Sequence, residues 1–153
     1  MYINISWYVL FQVYDYSQGN RTALSYYKKM KFEDFVVLFG TISSQLEPNN
    51  TTGCLMFTGN EKNGYGRIRK IFDGKKKDFY AHRVAKIFDM GDHNIGGDCS
   101  HICHTKLCCN PHHISVESKL TNNQRKNCVS EKRCLGHRDD RTGLSLPDCI
   151  LLN

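Results

Sequence analysis

The sequence predicts a small α+β fold, an antiparallel sheet with flanking helices, and three observations carry that reading. Apolar residues recur at helical spacing on either side of residues 54–80, and that middle stretch alternates in strand-like runs broken by turns at Asn60 to Gly64 and at Asp73-Gly74. Cysteine and histidine then crowd into Asp98 to Cys128, DCSHICHTKLCCNPHHISVESKLTNNQRKNC, far beyond what a core or a loop requires. With 153 residues the chain suits one domain of modest core. Such a thin core gains from bound metal, and thiolate and imidazole are the donors that tetrahedral zinc prefers. The expectation is a zinc-stabilised α+β domain.

Charge and cysteine usage narrow the class. A formal net charge of +6 beside seven histidines favours a polyanionic partner, because lysine and arginine gain affinity for phosphate by counterion release. Eight cysteines suit either four disulfides of a secreted protein or thiolate ligands kept reduced inside a cell. Met1 to Tyr14, MYINISWYVLFQVY, lacks an early basic residue and a cleavage site, and it is too short to span a bilayer. The Asn4-Ile-Ser, Asn20-Arg-Thr and Asn49-Asn50-Thr-Thr stretches fit the glycosylation pattern but arise by chance in an Asn-rich chain. The reading is intracellular and nuclear, with no membrane association and with ligand cysteines.

Residues 1–29 carry strand-like aromatics and a turn at Ser17-Gln18-Gly19-Asn20, and they form an N-terminal extension of unknown role ahead of a domain over 30–153. Phe32, Phe35, Val36, Phe39, Ile42 and Leu46 fall on one helical face that Pro48 should terminate. Cys54 to Thr58 reads as a strand, Tyr65 to Phe72 as a second, and Asp73-Gly74 as a hairpin into Asp78 to Tyr80. Strand alternation places Arg67 and Arg69 on one face, with Lys75, Lys76 and Lys77 at the adjoining turn. That ribbon suits a major groove and equally a solvated sheet face. Ala81 to Met90 reads as a helix buried through Val84, Ile87 and Phe88 and closed by Gly91. His82 at its start is the ordinary structural histidine, and Asp92-His93-Asn94 lies in a glycine-flanked loop without a chemical role.

Within the crowded stretch His101, Cys103, Cys108, Pro111 and His113 form H-x-C-x4-C-x2-P-x-H, and Asn122 follows in a helix-compatible run. Cys103, Cys108 and His113 supply three zinc ligands, so a fourth comes from elsewhere.

Ser100-His-Ile-Cys103-His, Cys108-x-Asn110-Pro111-x-His113-Ile, Glu117-Ser118, Asn122, Arg125 and Cys128 together resemble the His-Cys box homing endonucleases, a branch of the ββα-metal (His-Me finger) nucleases that includes the HNH enzymes. The resemblance covers roughly the last two thirds of the chain, with its ββα core at about 98–128. It implies one zinc on Cys54, Cys103, Cys108 and His113 and a second on Cys128, Cys134, His137 and Cys149. Cys149 lies farther from His137 than in the family pattern. Cys99 and Cys109 are left over, although Cys109 or His112 competes for a ligand position.

The same resemblance implies a strand with His101, a zinc-pinned loop, a strand from His113 to Val116 and a helix from about Ser118, its N-cap, to Asn127. It assigns His101 as the general base toward water and Asn122 as the protein ligand of one Mg²⁺, whose role is to stabilise the leaving 3′ oxygen. The products would be a 5′-phosphate and a 3′-hydroxyl on double-stranded DNA. The DNA-facing residues would be Arg67, Arg69, Lys75, Lys76, Lys77, Arg83 and Arg125, and family members act as homodimers. The rival is a non-catalytic zinc-dependent DNA-binding module on the same fold, which has no use for the His101 and Asn122 pair.

Overall fold

A computed structural model describes residues 25–150; the aromatics and the turn expected nearer the start lie outside those residues. A short 3-10 turn at Tyr27–Lys29 leads into α1 (Phe32–Ser43), β1 (Leu46–Asn49), β2 (Cys54–Phe57), β3 (Glu61–Lys62), β4 (Tyr65–Phe72), β5 (Lys75–Tyr80) and α2 (Ala81–Met90). Then come β6 (Asp98–His101), β7 (Ile114–Glu117), α3 (Lys119–Glu131), β8 (His137–Arg138) and β9 (Ser145–Leu146). All pairing is antiparallel, in the orders β1-β2, β3-β4-β5, β6-β7 and β8-β9. Among the described residues no helix is long and apolar enough to cross a membrane.

Helix α1 starts where the Asp34 carboxylate accepts the Lys31 backbone N–H at 2.9 Å. It buries Phe35, Leu38 and Ile42, with Phe32 and Phe39 half-buried beside them. Two expectations fail here. Val36 is 43% exposed, and the helix stops at Ser43 rather than at Pro48. The side chains of Ser43, Ser44 and Gln45 bond back to the carbonyls of Gly40 and Thr41, competing with further helix. Leu46 and Pro48 therefore belong to β1, an edge strand that tolerates a proline.

The β4–β5 hairpin turns on Asp73 and Gly74, whose φ values of 52° and 67° are those of a two-residue type I′ turn. So tight a turn leaves no spare residues, and Lys75, Lys76 and Lys77 sit inside β5, paired with Phe72, Ile71 and Lys70, rather than at the bend. Ile68 and Phe79 face the core with Val84, Ala85 and Ile87 of α2. Gly91 closes α2 at φ 66°. Phe88 is 38% exposed instead of buried, and it stacks on Phe39 at 4.1 Å. Tyr27 is 2% exposed, stacked on Phe35 and edge-on to Phe79, so the core draws on a residue that the sequence division left in the extension.

The C-terminal half is a strand, a loop, a strand and a helix. Register runs from Asp98↔Glu117 to His101↔Ile114. Gly97, at φ 96°, lets the two backbones meet where a Cβ would stand 2.5 Å from the Glu117 carbonyl oxygen. Ser118 caps α3 by accepting the Thr121 N–H at 3.2 Å, and the helix continues past Asn127 to Glu131.

Candidate metal centres and active site

Strand β2 builds the first Cys/His group. One of its edges pairs with β1; at the other, Phe57 donates to Leu107 O at 2.9 Å and Cys109 donates to Leu55 O at 2.7 Å. This clamps the loop of residues 102–113 against Cys54. The ligand atoms of Cys54, Cys103, Cys108 and His113 lie within 4.8 Å of one another. His113 turns Nδ1 to the sulfurs of Cys54 and Cys108, 3.6 Å from each. A hydrogen bond from Cys108 pulls the Cys103 thiol down to about 4, and the same contact pushes Cys108 up. Three thiols and one imidazole converging on one point fit tetrahedral zinc.

Cys128 on α3, Cys134, His137 on β8 and Cys149 form the second group, again with ligand atoms within 4.8 Å of one another. His137 Nε2 lies 3.3 Å from the sulfurs of both Cys128 and Cys149. The long sequence gap to Cys149 is closed because the tail folds back: Ile150 donates to Ile102 O at 2.7 Å, and Arg125 Nη1 donates to Pro147 O at 2.9 Å. Backbone N–H groups of Leu135 and Cys149 point at the sulfurs of Cys128 and Cys134, at 3.4 and 3.2 Å, which suits thiolates.

Cys99 and Cys109 enter neither group, nor does His112. Burial raises the thiol pKa of both cysteines, that of Cys109 to about 12. All eight cysteines are free thiols, so the disulfide alternative finds no bond.

His101 ends β6 and is 9% exposed. Its Nε2 lies 2.9 Å from Cys108 O, and since a carbonyl only accepts, Nε2 carries the proton and Nδ1 keeps a lone pair. Burial pushes its pKa below the ordinary histidine range, which keeps the ring neutral. The ring packs against His82 at 4.5 Å and Tyr65 at 5.9 Å.

Asn122 reaches β6 from α3. Its Oδ1 accepts from Ser100 Oγ at 2.8 Å and its Nδ2 donates to Asp98 Oδ2 at 3.0 Å. Strand alternation thus sends Asp98 and Ser100 toward α3, and Cys99 and His101 toward α2. The imidazole and the carboxamide are held at successive residues of one strand, Ser100 and His101, and no direct bond joins them.

The basic residues separate into two sets. On the outer face of β4–β5, Arg67, Arg69 and Lys62 converge on Asp78, at 3.7, 2.8 and 3.2 Å. The side-chain hydrogen bond from Arg69 lowers the Asp78 pKa to about 2. Lys75 and Lys76 are exposed, and Lys77 lies over the Tyr26 ring at 5.2 Å. Arg83 and Arg125, named among the DNA-facing residues, are buried, at 7% and 2% exposed. Arg83 donates to Gly97 O and Ile95 O, both at 2.9 Å, and Arg125 grips both oxygens of the fully buried Glu117 at 2.7 Å. Both guanidinium groups turn most of their donors to these interior acceptors.

Sequence reasoning gave no role to Asp98, Ser100 or Glu117, and counted the last two only among the residues that carry the resemblance. The period of two along β6 carried a signal for the first pair, since it puts both on the face opposite His101. His93 packs against the ring of Phe35 at 5.9 Å. The family model described as the zinc-binding loop region of homing endonuclease matches residues 53–152, a span that contains both Cys/His groups. No curated protein and no solved structure matches the chain.

Proposed function

Since the chain belongs to the family described by the zinc-binding loop region of homing endonuclease, we propose that it is a DNA endonuclease with His101 as general base and Asn122 as the protein ligand of one Mg²⁺. The observation that carries this reading is the His101 to Cys108 carbonyl bond at 2.9 Å. It fixes the tautomer with a free Nδ1, and it hangs that tautomer on the backbone of a zinc ligand. A neutral, buried imidazole with one open lone pair is suited to taking a proton from water as the water attacks phosphorus.

The two zinc ions on this reading are structural. Each Cys/His group offers four protein donors, which would fill a tetrahedral zinc and leave no open position for substrate, and the first group would pin the loop that carries Cys108. Asn122 fits a hard cation, because its amide oxygen accepts one hydrogen bond from Ser100 and retains a second lone pair. When bound there, Mg²⁺ would supply Lewis-acid stabilisation of the departing 3′ oxygen. The products are a 5′-phosphate and a 3′-hydroxyl. The His101 ring and the Asn122 carboxamide approach β6 from opposite faces, and on this reading the scissile phosphate lies at the end of that strand, within reach of both. Arg67, Arg69, Lys75, Lys76 and Lys77 on the β4–β5 ribbon hold the DNA backbone, while Arg83 and Arg125 serve the interior.

The test is supercoiled plasmid with Mg²⁺, comparing the full chain with His101→Ala and Asn122→Ala. Nicking or linearisation by the wild type, lost in both variants at unchanged zinc content, supports the assignment. Intact plasmid that still shifts on a gel across several divalent metals gives the chain instead to zinc-dependent DNA binding without cutting.

A further inference from the structure

A carboxamide is nearly symmetric in shape, and left alone Asn122 would present oxygen or NH₂ to a ligand with similar ease. Its neighbours remove that freedom. Asp98 Oδ2, 3.0 Å away, belongs to a carboxylate, which has no proton to give, so the group facing it has to be NH₂. The oxygen then falls toward Ser100, whose hydroxyl donates at 2.8 Å. A hydroxyl rotates and would donate to oxygen or accept from NH₂ equally well, so Ser100 alone selects nothing. Asp98 makes the choice and Ser100 follows it.

The backbone under Asp98 is itself fixed from three sides. It pairs with Glu117 in the β6–β7 register, the preceding Gly97 sits in a conformation that favours glycine, against the Glu117 carbonyl, and the buried Arg83 guanidinium holds the Gly97 oxygen at 2.9 Å. That gives Arg83 a use that its burial denies it at the surface.

We propose that Asp98 is a positioning residue, which with Ser100 locks the Asn122 carboxamide so that its oxygen keeps one lone pair free for a divalent cation. Asp98 acts through Asn122. This rests on the reading of Asn122 as the metal ligand, and the experiment separates the two claims.

Mn²⁺ serves as the probe, with bound ion counted by electron paramagnetic resonance on the zinc-loaded full chain and no DNA cutting required. Asn122→Ala tests the underlying reading: if it binds Mn²⁺ as tightly as wild type, Asn122 is not the ligand and both claims fall. Where Asn122→Ala loses the ion, Asp98→Ala is expected to weaken Mn²⁺ binding roughly 10-fold, the scale of a lost partner behind a metal ligand, at unchanged zinc content and melting temperature. Asp98→Asn, whose amide can donate as well as accept, no longer dictates which way Asn122 turns and is expected to lose affinity as Asp98→Ala does, whereas Asp98→Glu keeps an acceptor-only group and retains more of it. Unchanged Mn²⁺ affinity in Asp98→Ala overturns the positioning claim and leaves the ligand assignment standing. So does wild-type affinity in Asp98→Asn, since the orientation would then be set without a group that can only accept. Should the alanine variant fail to fold, Asp98→Asn with Mn²⁺ affinity equal to wild type refutes the claim by itself.

Discussion

Replacing Arg125 with methionine leaves a carboxylate in the interior with nothing to balance it. Glu117 is 0% exposed at its side chain and Arg125 2%, and the two share a pair of 2.7 Å hydrogen bonds. Removing one member of a buried pair costs about 3–5 kcal/mol, because the survivor stays desolvated without its counter-charge. Against a total stability of about 5–15 kcal/mol for a domain, that is a large share. Arg125→Met also frees Pro147 O and the Cys149 sulfur, at 2.9 and 3.5 Å, so the tail that delivers the last ligand of the second Cys/His group loosens with it.

The assay is urea unfolding in excess zinc, scored at matched slope. The double variant Glu117→Leu with Arg125→Met should recover much of the loss, since it buries no charge at all. A cost below about 1 kcal/mol for Arg125→Met, the scale of an exposed pair, would refute the assignment and return Arg125 to the surface.

Three other outcomes are expected. Cys54→Ser and Cys108→Ser each lower zinc from two ions per chain to one, whereas Cys109→Ser retains both, as metal quantitation after dialysis would record. Gly97→Ala, whose Cβ would lie 2.5 Å from the Glu117 oxygen at φ 96°, lowers the melting temperature measurably; an unchanged melting curve would contradict the close approach. Arg69→Ala and Lys75→Ala should each reduce the slope of log binding constant against log salt on duplex DNA by about one, with slopes unaltered in both speaking against the ribbon as the DNA face.

What the sequence could disclose depended on how local the physics was. The type I′ hairpin at Asp73-Gly74 and the Gly91 cap were legible because backbone conformation at two or three residues decides them. The eight residues of the two Cys/His groups were legible through the family resemblance, even Cys149, and the fold brings those eight together. The arginines were not. Whether Arg83 or Arg125 meets solvent turns on Ile95, Gly97, Glu117 and Pro147, partners 8 to 22 residues away, and positive charge reads the same whether or not such a partner waits. The end of α1 was misread for a related reason: proline was taken as the breaker, while Ser43 and Ser44 had already drawn carbonyls away from the helix. Asp98 went unnoticed because its value lies in what it cannot donate to Asn122, a property visible only once α3 packs on β6.

The most direct test of the account is single-turnover cleavage of a DNA duplex by His101→Ala, with and without added imidazole, at matched zinc content and DNA affinity. The account predicts a rate lowered by roughly 10² to 10⁴ and partly restored as imidazole supplies the missing base. A variant that cuts at the wild-type rate would contradict it.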